Sequence, residues 1–452
     1  MTFDGRPIFE PKPSHSMLLA PSGDGKTTCG AVPYLLSMIA DHSKAIVVVD
    51  SKEGEISAQC AELCRRYGRK VAILDDFGVL EKIEPETISL NPFGSLIEAH
   101  HRDAGEFVFA AESANRALIE EPSDGDSRNL WFRDEPRTLI EYAQTSLLSR
   151  RPELATPGAV FSLLSNPKLL IDAANVDADE GDEHLAALAR HVVDMSKDEE
   201  HFPQHRGTAV RACRIFGPGS RLHQVGVDIE KSHSELLAQK YVIFLVGPQR
   251  HMERLGSYYA LHLQSFLDSV MSGEVGATEF IVDEFSNCPL KELVSRLTTM
   301  RGYGGRVHMI AQSRSEIQRK YGEKETQTIE ENAVVKQYFG FSSIEEAERI
   351  SKAIGESQVI THSLSVNSEK QDFSGNYQTA KERLVSADEL MRLPKDQQIM
   401  HVKGVGWIHC KKISQQNIGP YAGELRDSNL EGSRLEPNIM IELPTGDREV
   451  AQ

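Results

Sequence analysis

The residues Ala20-Pro21-Ser22-Gly23-Asp24-Gly25-Lys26-Thr27 have the types and spacing of a loop that wraps a chain of phosphates. Glycines let such a loop turn its backbone N–H groups inward, a lysine reaches the terminal phosphates, and a hydroxyl joins a Mg²⁺ shell. Lys26 is that lysine, Thr27 that hydroxyl, and Thr28 follows; alanine stands at the first glycine position. Met17-Leu18-Leu19 before the loop and the helical stretch Thr27 to Ala40 after it supply the strand and helix that the loop requires. The second half of such a site is an acid ending a hydrophobic strand, and Phe280-Ile281-Val282-Asp283-Glu284 ends in two. Asp283 is suited to hold Mg²⁺ and Glu284 to orient or deprotonate an attacking water. The run Ile46 to Asp50 also ends in an acid, but its early place in the chain suits it less to hydrolysis.

Further on, a strand ends in Ala311-Gln312-Ser313, where Gln312 is able to sense a terminal phosphate beside the acids. Arg301 and Arg306, on the loop before that strand, compete for the role of an arginine finger reaching a neighbouring subunit's nucleotide. Other constellations are weaker. His201 and His205 are one helical turn apart, but no glutamate follows the first, so a solvated helix face is expected in place of a zinc site. His184 and His191 read as surface residues, Trp131 and Trp407 as core anchors, and the scattered cysteines, Cys60 and Cys64 included, as reduced buried thiols.

The elements that must hold these residues alternate as strand and helix up to about residue 95, the signature of a parallel sheet with crossover helices. From 96 to 205 the β-branched runs give way to helical periodicity, as in Phe107 to Leu118, Arg137 to Leu148 and Leu185 to Met195. Strand patterns then resume at Tyr241 to Val246, Glu279 to Asp283, Arg306 to Ala311, Val334 to Phe339, Gln398 to Val402 and Trp407 to Lys411. The expected division is a nucleotide-binding domain of 1–95 and 206–420, an all-α insertion of 96–205 and a polar acidic tail of 421–452. Thr361 to Gln378, rich in Ser, Asn and Gln, reads as a long loop. The chain has 452 residues, 40% of them hydrophobic and 26% charged, which excludes a disordered or disulfide-framework protein. Its apolar runs are far short of the roughly 20 residues that cross a bilayer. The formal charge is −17, but 96–205 holds 22 acids against 10 bases and 421–452 holds 7 against 3, so the rest is within one charge of neutral. A nucleic-acid channel through the neutral part is therefore compatible with the total.

The loop Ala20 to Thr27, the segments Val48-Val-Asp-Ser-Lys-Glu-Gly-Glu55, Leu74 to Gly78 and Leu90 to Phe93, and Phe280 to Phe285 together resemble the type IV secretion coupling proteins of the TraG/TraD group. Arg301 to Gly304, Ala311 to Ser313, Ile350 to Gly355 and Leu384 to Leu390 extend the likeness over about residues 16 to 412. The resemblance implies an α/β fold, a RecA-like P-loop NTPase sheet of the FtsK/HerA kind interrupted by an all-α insertion domain. It implies ATP and Mg²⁺ as cofactors and a homo-hexamer around a central DNA channel. It also implies type IV secretion channel components as partners, with a relaxase–DNA complex or effector proteins as cargo. The alternatives are a nucleotide-gated recruitment platform with little ATPase activity and an FtsK-like translocase of double-stranded DNA. Family members begin with two transmembrane helices, whereas here the phosphate-loop strand starts within 20 residues of Met1. The expectation is a shortened or membrane-free form, cytoplasmic or at the cytoplasmic face of the bacterial inner membrane if such helices precede it. The family's Asp-x-Lys-Gly-Glu is here Asp50-Ser-Lys-Glu-Gly-Glu55, with Glu53 as an extra residue.

Overall fold

The computed structural model describes the whole chain except residues 7, 9–13, 85, 103, 120–129, 288–290, 368–371, 431–434 and 446–452. The strands are β1 (Ser16–Leu19), β2 (Ala45–Asp50), β3 (Val71–Leu74), β4 (Val242–Val246), β5 (Thr278–Val282), β6 (Gly305–Ala311), β7 (Val335–Tyr338), β8 (Glu356–Asn367), β9 (Asp372–Arg383), β10 (Gln397–Val402) and β11 (Gly406–Lys411). Nine of them form one sheet in the order β11-β10-β7-β1-β6-β5-β2-β4-β3. From β7 to β3 every pairing is parallel; β10 runs against these strands, and β11, antiparallel to β10, runs with them again at the edge. This is the parallel sheet that the alternating sequence pattern implies.

Central strands of such a sheet are buried on both faces and so read as unbroken apolar runs. In β2, Ile46 to Val49 are all fully buried. Leu18, Ile46, Val48, Ile281 and Ile310 face one core, closed by α1 (Val32–Met38) and α2 (Glu55–Arg66). Met17, Leu19, Val47, Val49 and Val282 face the other, which continues without a break into Leu139, Leu170 and Ala189 of the helical segment between β3 and β4.

That segment comprises α3 (Gly94–Arg102), α4 (Ala104–Leu118), α5 (Trp131–Arg150), α6 (Pro157–Ser165), α7 (Pro167–Glu180), α8 (Glu183–Met195) and α9 (Phe202–Ala212). Its boundaries are written locally: Thr156, Asn166 and Asp182 accept N–H groups at the starts of α6, α7 and α8, and prolines open α6 and α7. Among the described residues no helix is long and apolar enough to cross a membrane.

Three expectations fail here. Of Thr361 to Gln378, residues 368–371 lie outside the described residues and the rest lies in a hairpin, where β8 and β9 pair antiparallel from Glu356↔Arg383 to Asn367↔Asp372 outside the main sheet. Glu356, Ser357 and Gln358 are exposed and Ile360 is 70% exposed. A ribbon without a buried face has no reason to alternate apolar and polar residues, so periodicity cannot reveal it. Trp131 is 43% exposed and not a core anchor; its ring lies across His205, with centroids 4.3 Å apart. His205, under that ring, is buried and not on a solvated face. Trp407 packs against the main core, its Nε1 donating to the Ala353 carbonyl at 3.0 Å. Cys60 and Cys64 are free and buried, and burial pushes the Cys64 thiol up to about 12.

Candidate active site

In a parallel sheet all strands end on one edge, and ligands bind in the crevice there. Register fixes which residues share that edge: Leu19 aligns with Ala311, and Val49 with Val282. The loop after β1, Gln312 after β6, Asp283 and Glu284 after β5, and Asp50 ending β2 therefore lie along one rim.

The loop Ala20 to Gly25 turns on two left-handed glycines, Gly23 (φ 84°) and Gly25 (φ 86°), and Gly25 precedes the wide helical turn Lys26–Ala31 that leads into α1. Side-chain-bearing residues adopt such φ values at a cost of about 1 kcal/mol or more, so these positions favour glycine. Lys412, after β11, donates to the Asp24 carbonyl at 3.0 Å and braces the loop from outside. Ser22 and Gly23 are exposed, whereas Ala20 and Thr27 are buried.

Lys26 Nζ lies 2.7 Å from Glu284 Oε1, both side chains about nine-tenths buried. Gln312 Nε2 approaches the two Glu284 oxygens at 3.4 and 3.5 Å, a long forked contact. Glu284 itself is left-handed (φ 53°), a strained conformation for a residue with a side chain, found preferentially at functional sites. Burial pushes the Asp283 carboxyl up to about 7; Glu284 and Asp50 push the same way, against Lys26 and Lys52. Asp50, also buried, accepts both the Ser57 N–H and the Ser57 hydroxyl at 2.7 Å, an anchor for α2. Burial pushes its carboxyl up to about 6.

Four carboxylates (Asp50, Glu55, Asp283 and Glu284) thus crowd one rim with Lys26 and Lys52 as the cations named among their neighbours. An excess of buried negative charge beside a glycine-turned loop fits a divalent cation and a polyphosphate, with Thr27 and Asp283 as the oxygen ligands available to the metal.

The arginines behave differently. Arg306 is held by Glu279, Nη1 to Oε1 at 3.1 Å, across the starts of β5 and β6. Both Arg306 and the exposed Arg301 lie before or at the start of β6, whose seven residues separate them from Gln312 by about 20 Å. Neither reaches the loop of its own chain.

Sequence reasoning passed over Glu55 and gave Lys52 no role, yet both sit on this rim. The signal was present as a charged turn, Lys52-Glu53-Gly54-Glu55, directly after a strand-ending acid.

Two family models match the chain. One, for type IV secretory system conjugative DNA transfer, covers residues 2–145; the other, for the TraM recognition site of TraD and TraG, covers 277–395. Together they span more than half of it. The conjugal transfer protein TraG of Escherichia coli is 20% identical over 418 residues, 84% of this chain; the chain spans 62% of that protein's length. Among solved structures, the bacterial conjugative coupling protein TrwB in complex with sulphate superposes with a TM-score of 0.64 at 15% identity, over 88% of this chain and 85% of that one. TrwB in complex with ADP and Mg²⁺ gives 0.62 at 14%, over 88% and 85%. VirB4 of Thermoanaerobacter pseudethanolicus gives 0.52 at 13%, over 90% of each chain. At such identities the structural likeness is one of fold, whereas the two family models carry the kinship. The chain belongs to the coupling proteins of type IV secretion, the TraG/TraD group.

Proposed function

We propose that this chain is an ATP-hydrolysing motor or gate that recruits DNA–relaxase or protein cargo to a type IV secretion channel and drives its transfer. The observation that carries the reading is the convergence of Lys26, Asp283, Glu284 and Gln312 on the carboxyl edge of the sheet. ATP with Mg²⁺ supplies a terminal phosphoryl group that transfers to water. Residues Ala20 to Thr28 bind the phosphates, with Lys26 on the terminal ones; Thr27 and Asp283 hold the metal; Glu284 takes the proton of the attacking water; Gln312 reports the state of the site to neighbouring copies. TrwB's complex with ADP and Mg²⁺ is consistent with the same ligands here. The active form is a homo-hexamer with DNA in its channel, in which Arg301, too far from its own loop, serves the next copy. Residues 96–205, with a net charge of −12, form the module that meets basic surfaces of partner proteins, a contact that weakens as salt is added.

The test is ATP turnover measured against protein concentration, with and without DNA, for the wild type and Lys26→Ala. Turnover per chain is expected to rise with concentration and to fall at least about 100-fold in the variant; equal turnover in both proteins rejects the motor. One observation favours the slower recruitment platform: Lys26 is engaged by Glu284, so the phosphates must displace a carboxylate. DNA that leaves turnover near zero selects the platform.

A further inference from the structure

After β2 the chain reads Ser51-Lys52-Glu53-Gly54-Glu55. Glu53 (φ 54°) and Gly54 (φ 66°) are left-handed in succession. A Cβ on Gly54 would sit 2.8 Å from Leu80 Cδ1, so the turn is closed against the core and glycine is required there. The coil aims the first residue of α2 back across the rim. Glu55, 2% exposed, brings Oε2 to 3.3 Å from the Thr27 hydroxyl and to 3.1 Å from Lys52 Nζ, while Ser428 donates to its Oε1 at 3.4 Å. A buried carboxylate is stable only when paired and hydrogen-bonded, and Lys52 supplies the charge. Burial works to lower the Lys52 ammonium, but Glu55, Asp283 and Glu284 outweigh it and raise it. Lys52 is near enough to Asp283 and Glu284 for their charges to raise it, while Lys26 pairs directly with Glu284. Two of the four left-handed non-glycine residues among those described, Glu53 and Glu284, bracket this cluster.

We propose that Lys52 is a second phosphate-facing lysine of the ATP site, positioned by Glu55, so that each chain carries part of the compensating positive charge itself and a neighbour's Arg301 adds to it. The assignment rests on the ATPase reading. As water adds to phosphorus, the bond to the bridging oxygen breaks and that oxygen leaves with the electron pair. The water proton passes to Glu284. Lys52 gains and loses nothing and acts by charge alone, on oxygens that become more negative during the step. Glu55 is a positioning residue: it fixes the ammonium and, through the Thr27 hydroxyl, ties that ammonium to the metal side of the site.

The experiment compares the wild type, Lys52→Ala, Lys52→Arg and Glu55→Gln in three measurements. These are kcat and KM for ATP, binding of a fluorescent ATP analogue, and binding of ADP with aluminium fluoride, which imitates the transferring phosphoryl group. Lys52→Ala is expected to bind the ATP analogue within about threefold of wild type, yet to lose about 100-fold in kcat and in its preference for ADP–aluminium fluoride over ADP. Lys52→Arg should recover part of both losses, and Glu55→Gln should lower kcat with KM little changed. In dilute, unassembled wild-type protein, the residual turnover should depend on Lys52. Selective acylation of wild-type Lys52 should be slowed by ADP–aluminium fluoride, a readout that needs no folded variant. If the wild type hydrolyses ATP and Lys52→Ala keeps wild-type kcat and wild-type ADP–aluminium fluoride affinity, the assignment is wrong and the ATPase reading stands. If the wild type binds no nucleotide, both fall.

Discussion

The ion pair between Lys26 and Glu284 makes the resting site self-occupied, because a carboxylate holds the ammonium that a phosphate would take. Glu284→Gln removes the competing charge and the proton acceptor together. The variant is expected to bind a fluorescent ATP analogue several-fold to about tenfold more tightly, about 1.4 kcal/mol at the upper figure, while turnover falls by two orders of magnitude or more. Equilibrium titration and steady-state turnover on one preparation check both signs. Much of this site was legible in the sequence, since Lys26, Thr27, Asp283 and Glu284 sit in short motifs whose strands and turns are coded within a few residues. Lys52 and Glu55 were legible only as a charged turn, because the approach of Glu55 to Thr27 depends on two consecutive left-handed residues packed under Leu80. The finger role offered to Arg306 fails for a related reason: its partner, Glu279, lies on the adjacent strand, 27 residues earlier. No local pattern announces such a pairing.

The turn after β2 and the hairpin β8–β9 mark the two limits of legibility for elements. The buried strands and capped helices were readable because apolar runs, Thr156, Asn166, Asp182 and well-placed prolines each carry their own signal. The described ends of the hairpin are mostly exposed and carry none. In the turn, the decisive residue is Gly54. Gly54→Ala meets both a positive φ and a Leu80 methyl at 2.8 Å, so the expected destabilisation is about 2–4 kcal/mol. Denaturant unfolding measures that loss. Because α2 would tilt to relieve the clash, turnover should fall even in molecules that remain folded, whereas an alanine at the exposed Gly404, far from the rim, should leave turnover unchanged.

Across the whole molecule, histidines held neutral inside the fold lower stability in acid. Burial pushes His15 down to about 4 and His262 down to about 3, against an ordinary value of 6.5. His233, which shares a 3.0 Å bond with His262, is lowered as well, first by burial. A folded pKa below the unfolded one means that the unfolded chain binds more protons, so stability falls as pH drops below 6.5 and continues to fall down to the folded value. His15 and His262 should each remove about 2 kcal/mol by pH 5. Glu279 works in a different window. The His308, Lys44 and Arg306 charges overcome its burial and hold it near 2. That contribution is complete above 4.5 and lost only as pH falls toward 2. Asp283 and Asp50, pushed up to about 7 and about 6, work the other way between pH 7 and 5, so the histidine contribution is read as a difference: unfolding free energy should decline less from pH 7 to 5 in His262→Gln than in the wild type, and equal profiles would contradict the histidine account.

Strand β6 leads into Gln312 at one end and follows Arg301 at the other, so, if Arg301 serves the next copy as proposed, each copy holds the receiving and the giving part of a shared site on opposite edges of its sheet. Such a molecule has a head and a tail. Two copies related by a two-fold axis would bring like edges together and leave both Arg301 side chains without a nucleotide, whereas head-to-tail contacts repeat until a ring closes. Polarity of this kind gives every interface of such a ring the same sense, so one Gln312 would face a different neighbouring surface on each side. Whatever passes through such a ring would meet its copies all in one orientation, an asymmetry already present in a single seven-residue strand.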